Sequence, residues 1–136
     1  MSQAFPRERR LRRAEDFRRA QGSGQRVRTP HFILVVVRGP TPGAPARMGL
    51  VVRRKVGNAV ARNRVKRRVR ELFRTWETLV PAGIDLVVIA GPGAAEVPLG
   101  EIRREWSDVQ DAIVKKTARV LADPPLATHV PRRRDR

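Results

Sequence analysis

Residues 57–74 read GNAVARNRVKRRVRELFR, and the organisation of the whole chain follows from them. At 100° per residue, Val65, Val69, Leu72, Phe73 and Trp76 share one side, with spacings of four, three, one and three. Asn63, Arg67, Arg70 and Arg74 share the opposite side, Lys66 flanks one edge of that stripe, and Arg64 and Arg68 line the other. The segment predicts a helix that is apolar beneath and cationic above, with Asn58 suited to cap its start. Only Glu71 interrupts the run of one sign, so the i,i+4 pairing that steadies most solvated helix faces is missing and neighbouring arginines repel. Arg62 and Arg64 stand early in the helix, where the macrodipole favours anions. A phosphate docked there would meet backbone N–H groups and guanidinium forks together and would relieve that cost. A solvated face is the commoner meaning of a charge run, but density, sign and position here favour nucleic-acid contact.

Composition points the same way. The 136 residues suffice for one domain with tails. A formal charge of +17 and a pI of about 11.9 exceed what solubility needs and imply a polyanionic partner. The sequence shows no apolar run of transmembrane length, no lipidation signal and no apolar core of a secretory signal, so no membrane partner is expected and the cytoplasm is the expected location. The absence of cysteine excludes disulfides, thiolate catalysis and cysteine-ligated zinc. Arginine outnumbers lysine 26 to 4. Arginine suits bidentate phosphate contacts, but most of this bias, beside abundant Ala, Gly and Pro, is ascribed to codon composition.

Working outward from the basic helix, residues 47–55 (RMGLVVRRK) read as a strand ending in Arg53, Arg54 and Lys55, which sets three cations beside the helix start. Residues 31–37 (HFILVVV) form a continuous apolar, β-branched run between Pro30 and Gly39, hence a strand buried on both faces. If the exposed turn GPTPGAP at residues 39–45 makes a short hairpin, the two strands pair antiparallel. Residues 84–90 (IDLVVIA) are a further central strand, and residues 99–121 a helix on which Ile102, Trp106, Val109, Ile113 and Val120 repeat. Upstream, residues 14–21 read as a short helix with Glu15 and Asp16 near its positive end. The expected fold is α+β, a small sheet of three or four strands with helices packed on it in the order α-β-β(-β)-α-β-α. Residues 1–10 are expected to be a flexible basic segment, residues 11–122 a single α+β domain that binds nucleic acid, and residues 123–136 a flexible Pro/Arg-rich tail.

Protein-borne catalysis finds no support. His31 and His129 are far apart with no carboxylate motif near either, and Asp85, Glu101, Glu105 and Asp108 read as internal charge balance. GPGAA at residues 91–95 lacks the Lys and Ser or Thr of a P-loop. No catalytic residue and no metal ligand is assigned. Phe17, beside Arg18 and Arg19 in a chain with few aromatics, could stack an unpaired base, although composition alone favours a core anchor.

With KVGNAV directly before it, ARNRVKRRVRE resembles the protein subunit family of bacterial ribonuclease P. The likeness runs from about Leu11 to Val120, through LRRAEDFRRA, HFILVVV, RMGLVVRRKVGNAVARNRVKRRVRELFR and DLVVIA with its closing helix, in that order and spacing. The resemblance implies a four-stranded α+β fold with a left-handed crossover around the basic helix, against the usual right-handed rule. It implies an RNA-catalysed endonuclease that removes the 5′ leader of precursor tRNA, with magnesium held mainly by the RNA. The partners it implies are the catalytic RNA subunit and precursor tRNA, with no obligate protein partner. Arg54, Lys55, Arg62, Asn63, Arg64, Lys66, Arg67, Arg68 and Arg70 match the family's basic motifs and are implied to contact the catalytic RNA. Phe17, Val35 and Arg53 fall at positions of the leader-binding cleft, which reverses the core-anchor reading of Phe17. Val35 lies where relatives can be aromatic, Arg53 where a small polar residue is common, and Gly91 and Pro92 where relatives can carry basic residues. The alternative from a different class is a non-enzymatic RNA-binding assembly protein, which accounts for charge and tails but not for Phe17 and the helix in this register. A DNA-binding architectural protein would more naturally show a helix-turn-helix or β-ribbon arms.

Overall fold

The computed structural model describes residues 9–11 and 14–122, so the basic segment through residue 8 and the tail from residue 123 lie outside the described residues. The elements are α1 (Ala14–Ser23), β1 (Gln25–Arg28), β2 (Phe32–Arg38), β3 (Arg47–Val51), α2 (Ala59–Thr75), β4 (Ile84–Ala90), α3 (Leu99–Asp108) and α4 (Gln110–Ala122). The fold is α+β, with one four-stranded sheet in the order β1-β2-β4-β3. β2 pairs antiparallel with β1 and β4, and β3 pairs parallel with β4. The central strands FILVVVR and IDLVVIA are buried almost throughout because helices cover both sheet faces.

The hairpin expected between residues 31–37 and 47–55 does not form. β3 runs opposite to β2, but β4 lies between them. The Pro- and Gly-rich connection is long enough to pass the start of β4, where the Gly39 N–H donates to Gly83 O and the Gly83 N–H to Ala44 O, both at 2.7 Å. β3 also ends at Val51, and Arg54–Val56 form a 3-10 turn, so Arg54 and Lys55 sit on that turn and not on a strand. Gly57 follows at φ +154°, where a Cβ would come within 2.7 Å of Ala61 Cβ, so the turn into α2 requires glycine. The Asn58 side chain then accepts from the Ala61 N–H at 2.9 Å and caps α2.

Parallel strands need a crossover, and α2 is that crossover between β3 and β4. Its buried residues Val65, Val69, Leu72 and Phe73 share a core with Leu34, Val36, Met48, Leu86 and Val88 of the sheet and with Ile102, Trp106 and Ile113. Fully burying a side chain of this size contributes roughly 1.5–3 kcal/mol. The single helix expected over residues 99–121 is two helices that break at Val109. α3 packs against α2 whereas α4 crosses onto β1 and β2, and one straight rod would not lie on both surfaces. The Phe32 and Trp106 rings meet edge to face at 5.8 Å beneath this bend.

α1 covers part of the opposite sheet face through Leu11, Ala20, Val35, Val37 and Val87, with Phe17 partly buried beside them. It is also held by charge. Arg19 donates to Asp16 at 2.9 Å and to the buried carboxylate of Asp85, which accepts two further bonds from Arg47 at 3.0 and 2.7 Å. Chain contacts start before Leu11: Arg9 Nε donates to Ala46 O at 2.6 Å and Arg10 bridges Met48. The last two residues of the segment read as loose are thus tied beside β3.

Candidate nucleic-acid interface

The outer face of α2 carries the expected cations, but they divide into two kinds. Asn63 and Arg67 are exposed, and Arg62, Arg64, Lys66, Arg68 and Arg70 are partly exposed. Arg68 donates to the carbonyls of Val97 at 2.7 Å and Ala95 at 3.2 Å, and Arg64 also reaches Ala95 O at 3.2 Å. These two side chains tie α2 to the turn Ala94–Glu96. Arg62 reaches back to Gly57 O at 3.3 Å. Burial, and after it the nearby Arg10, lowers the Arg70 pKa from its ordinary value, which marks a guanidinium held at a cost beside a like charge. Arg53, Arg54 and Lys55 are exposed where the 3-10 turn meets α2. Near this face Arg74 pairs with Glu71 at 2.7 Å. The surface is therefore a cationic strip with little internal neutralisation, suited to phosphates.

The other side of the sheet forms a groove. Residues paired across strands share a face, so the register sets Arg28, Ile33, Ile89 and Val51 in one row and Arg26, Val35, Val87 and Gly49 in the next. α1 closes over the second row. The Phe17 ring lies on the β3 backbone, where a Cβ at Gly49 would approach Phe17 Cζ to 2.8 Å and Leu11 Cβ to 2.9 Å. The first row stays partly open, with an apolar floor of Ile33, Ile89 and Val51, and Arg28 and Arg26 exposed at the β1 edge. Arg53, extended two residues past Val51, falls on the same face at the other edge.

Phe17 and Arg53 thus stand at the groove, but Val35 does not line it. Val35 is completely buried within the cluster under α1, where a branched aliphatic side chain fills the space that a surface residue would leave open. The open floor one row away, Ile33 and Ile89, and the rim residues Arg26 and Arg28 were missed. Their signal was the alternation in QRVR, which leaves Val27 buried and both arginines out. Gly91 and Pro92 form the turn after β4, where the Gly91 N–H donates to His31 O at 2.8 Å. His31 Nδ1 in turn meets the buried Glu105 at 2.5 Å.

A family model described as Ribonuclease P matches residues 5–114, a span that contains α1, the groove strands and α2. The chain belongs to the ribonuclease P protein family. Among ribonuclease P protein components, it is 44% identical to that of Syntrophobacter fumaroxidans over 96 residues, 70% of this chain and 79% of that protein. It is 42% identical to that of Kocuria rhizophila over 114 residues, 84% of this chain and 99% of that one. The solved RNase P protein of Staphylococcus aureus superposes with a TM-score of 0.69 at 29% identity, covering 80% of this chain and 97% of its own. That of Thermotoga maritima gives 0.66 at 31% identity, covering 76% and 96%. Among the described residues of this ribonuclease P family member, no group of three or more His, Asp or Glu could hold a metal ion, and no helix is long and apolar enough to cross a membrane.

Proposed function

We propose that this chain is the protein cofactor of an RNA-catalysed ribonuclease P, binding a catalytic RNA through α2 and holding the 5′ leader of precursor tRNA in the groove beneath α1. The observation that carries this reading is the division of labour across one sheet. One side presents a cationic strip on a rigid helix, and the other a groove with an apolar floor and arginine rims. The strip, from Arg54 and Lys55 through Arg62, Asn63, Lys66, Arg67 and Arg70, suits the phosphates of a folded RNA. Arg64 and Arg68 hold the helix in place and offer their remaining N–H groups. In the groove, Phe17 and the row Ile33–Ile89–Val51 suit the faces of unpaired bases, while Arg28 and Arg53 suit the phosphates on either side.

Hydrolysis itself is assigned to the RNA. Asp16 and Asp85 are committed to Arg19 and Arg47, and Glu105 to His31, so these buried acids do not make a ligand set for magnesium. The ion that such a reaction uses would be held by RNA, and the protein would raise affinity for substrate by binding its leader. Work on precursor tRNA implies a cytoplasmic protein.

The test is cleavage of a precursor tRNA at low magnesium by the protein alone, the cognate RNA alone, and the two together. Activity that appears or rises strongly only in the mixture is expected. Tight RNA binding without stimulation would favour an assembly protein, and cleavage by the protein alone would contradict the assignment of chemistry to RNA.

A further inference from the structure

The groove depends on how α1 is seated, and the seat is narrow. At 100° per residue, Asp16 and Ala20 face the sheet, and Phe17 and Arg19 project on opposite flanks, roughly 60–100° to either side. On one flank the Phe17 ring rests on Gly49. On the other, Arg19 reaches Asp85, the second residue of β4, and its other arm holds Asp16 at 2.9 Å. Asp85 is 2% exposed and is fixed from the far side by two bonds from Arg47 of β3. The Asp85 bond raises the Arg47 pKa, with burial opposing it. A ten-residue helix has little stability of its own. Its roll about its axis is therefore set by these two flank contacts, one apolar and one ionic.

We propose that Arg19 and Asp85 are positioning residues for leader binding: their ion pair fixes the roll of α1 and so the depth at which Phe17 sits over the sheet. The inference rests on the leader-groove reading above. Neither residue touches the leader. Asp85 lies in the row Val37–Asp85–Arg47, next to the one that Phe17 covers, and Arg19 reaches it from α1. Two aspartates and two arginines balance within this cluster, so the cationic pull on a leader comes from Arg26, Arg28 and Arg53 and not from the clamp.

Arg19→Gln is the informative variant, because Asp85 keeps both bonds to Arg47 and the buried Asp16 keeps Arg47 at 3.5 Å, so neither carboxylate is left without a cation. The holoenzyme, reconstituted with its cognate RNA, is assayed on precursor tRNA with a long leader and with a leader cut to one nucleotide. Arg19→Gln is expected to raise KM for the long leader about fivefold, with kcat at saturation and the short-leader KM unchanged. Arg19→Lys should fall between, since an ammonium meets one carboxylate where the fork meets two. Phe17→Ala is run beside them. If Phe17→Ala selectively weakens the long leader while Arg19→Gln does not, the clamp is only a prop of the fold and the inference fails alone. Equal loss on both substrates from Arg19→Gln, or a Lys variant no better than Gln, also overturns it. If Phe17→Ala affects both leaders equally, the groove reading falls and takes the inference with it.

Discussion

Phe17 rests its ring on the one residue of β3 that has no side chain. That pairing is steric: a methyl at Gly49 would stand 2.8–2.9 Å from the ring and from Leu11. Gly49→Ala is therefore expected to cost about 1–3 kcal/mol, the usual range for overpacking a core. In a Phe17→Ala background part of that cost should vanish, because the ring atoms are gone and only Leu11 remains in the way. Chemical denaturation of the four proteins of this double-mutant cycle measures the coupling. Additive losses would mean that the ring does not lie on β3. The same contact resolves an ambiguity that composition leaves open. A core anchor and a base-stacking aromatic demand opposite exposures, and Phe17 meets both halfway: it is partly buried, with Cζ and Cε1 packed on Gly49.

Along α2 the arginines look alike in sequence but are expected to separate in two measurements. Arg68 bonds two carbonyls of the neighbouring turn, so Arg68→Ala leaves them short of a donor and should cost about 1–3 kcal/mol of stability. Arg67 is exposed and makes no bond among the described residues, so Arg67→Ala should leave stability within about 0.5 kcal/mol. It should nonetheless lower the slope of log affinity for RNA against log salt by roughly one, as a lost phosphate contact does. Denaturant melts and a salt titration of RNA binding read the two effects separately. A normal salt slope for Arg67→Ala would remove that residue from the interface. At this scale the sequence disclosed much and hid some things for definite reasons. The 3.6-residue period and the Asn58 cap made α2 plain, and the β-branched runs made β2 and β4 plain. β1 was hidden because the alternation of a four-residue edge strand is too short to stand out from its surroundings. The partner of β3 was hidden because a Pro-rich loop can close a hairpin or pass around a strand, and only β4, more than thirty positions downstream, decides which. The break at Val109 was hidden because the apolar spacing continues across it. The cleft row was misread at Val35 because burial there depends on α1 folding over the strand.

At the scale of the whole molecule, a charge of +17 on 136 residues sets two opposite responses to salt. In the free protein the basic residues of α2, its preceding turn and the β1 edge repel one another, and Arg70 is held near Arg10 at a cost. Screening weakens that repulsion, since the Debye length falls from about 30 Å at 0.01 M salt to about 8 Å at 0.15 M. The melting temperature of the protein alone should therefore rise with sodium chloride. It should rise further with sulfate at equal ionic strength, because a dianion also binds guanidinium forks and the start of α2 directly, stabilising the native state by linkage. The complex with RNA should respond in the other direction: each phosphate contact releases a counterion, and affinity falls steeply over the same range. Thermal melts and binding titrations on one salt series test both arms. Opposite trends are the mark of a surface built for a polyanion and strained without it. A melting temperature that is flat or falling with salt would mean that these charges are already neutralised within the fold, and that the cationic strip is an ordinary solvated face.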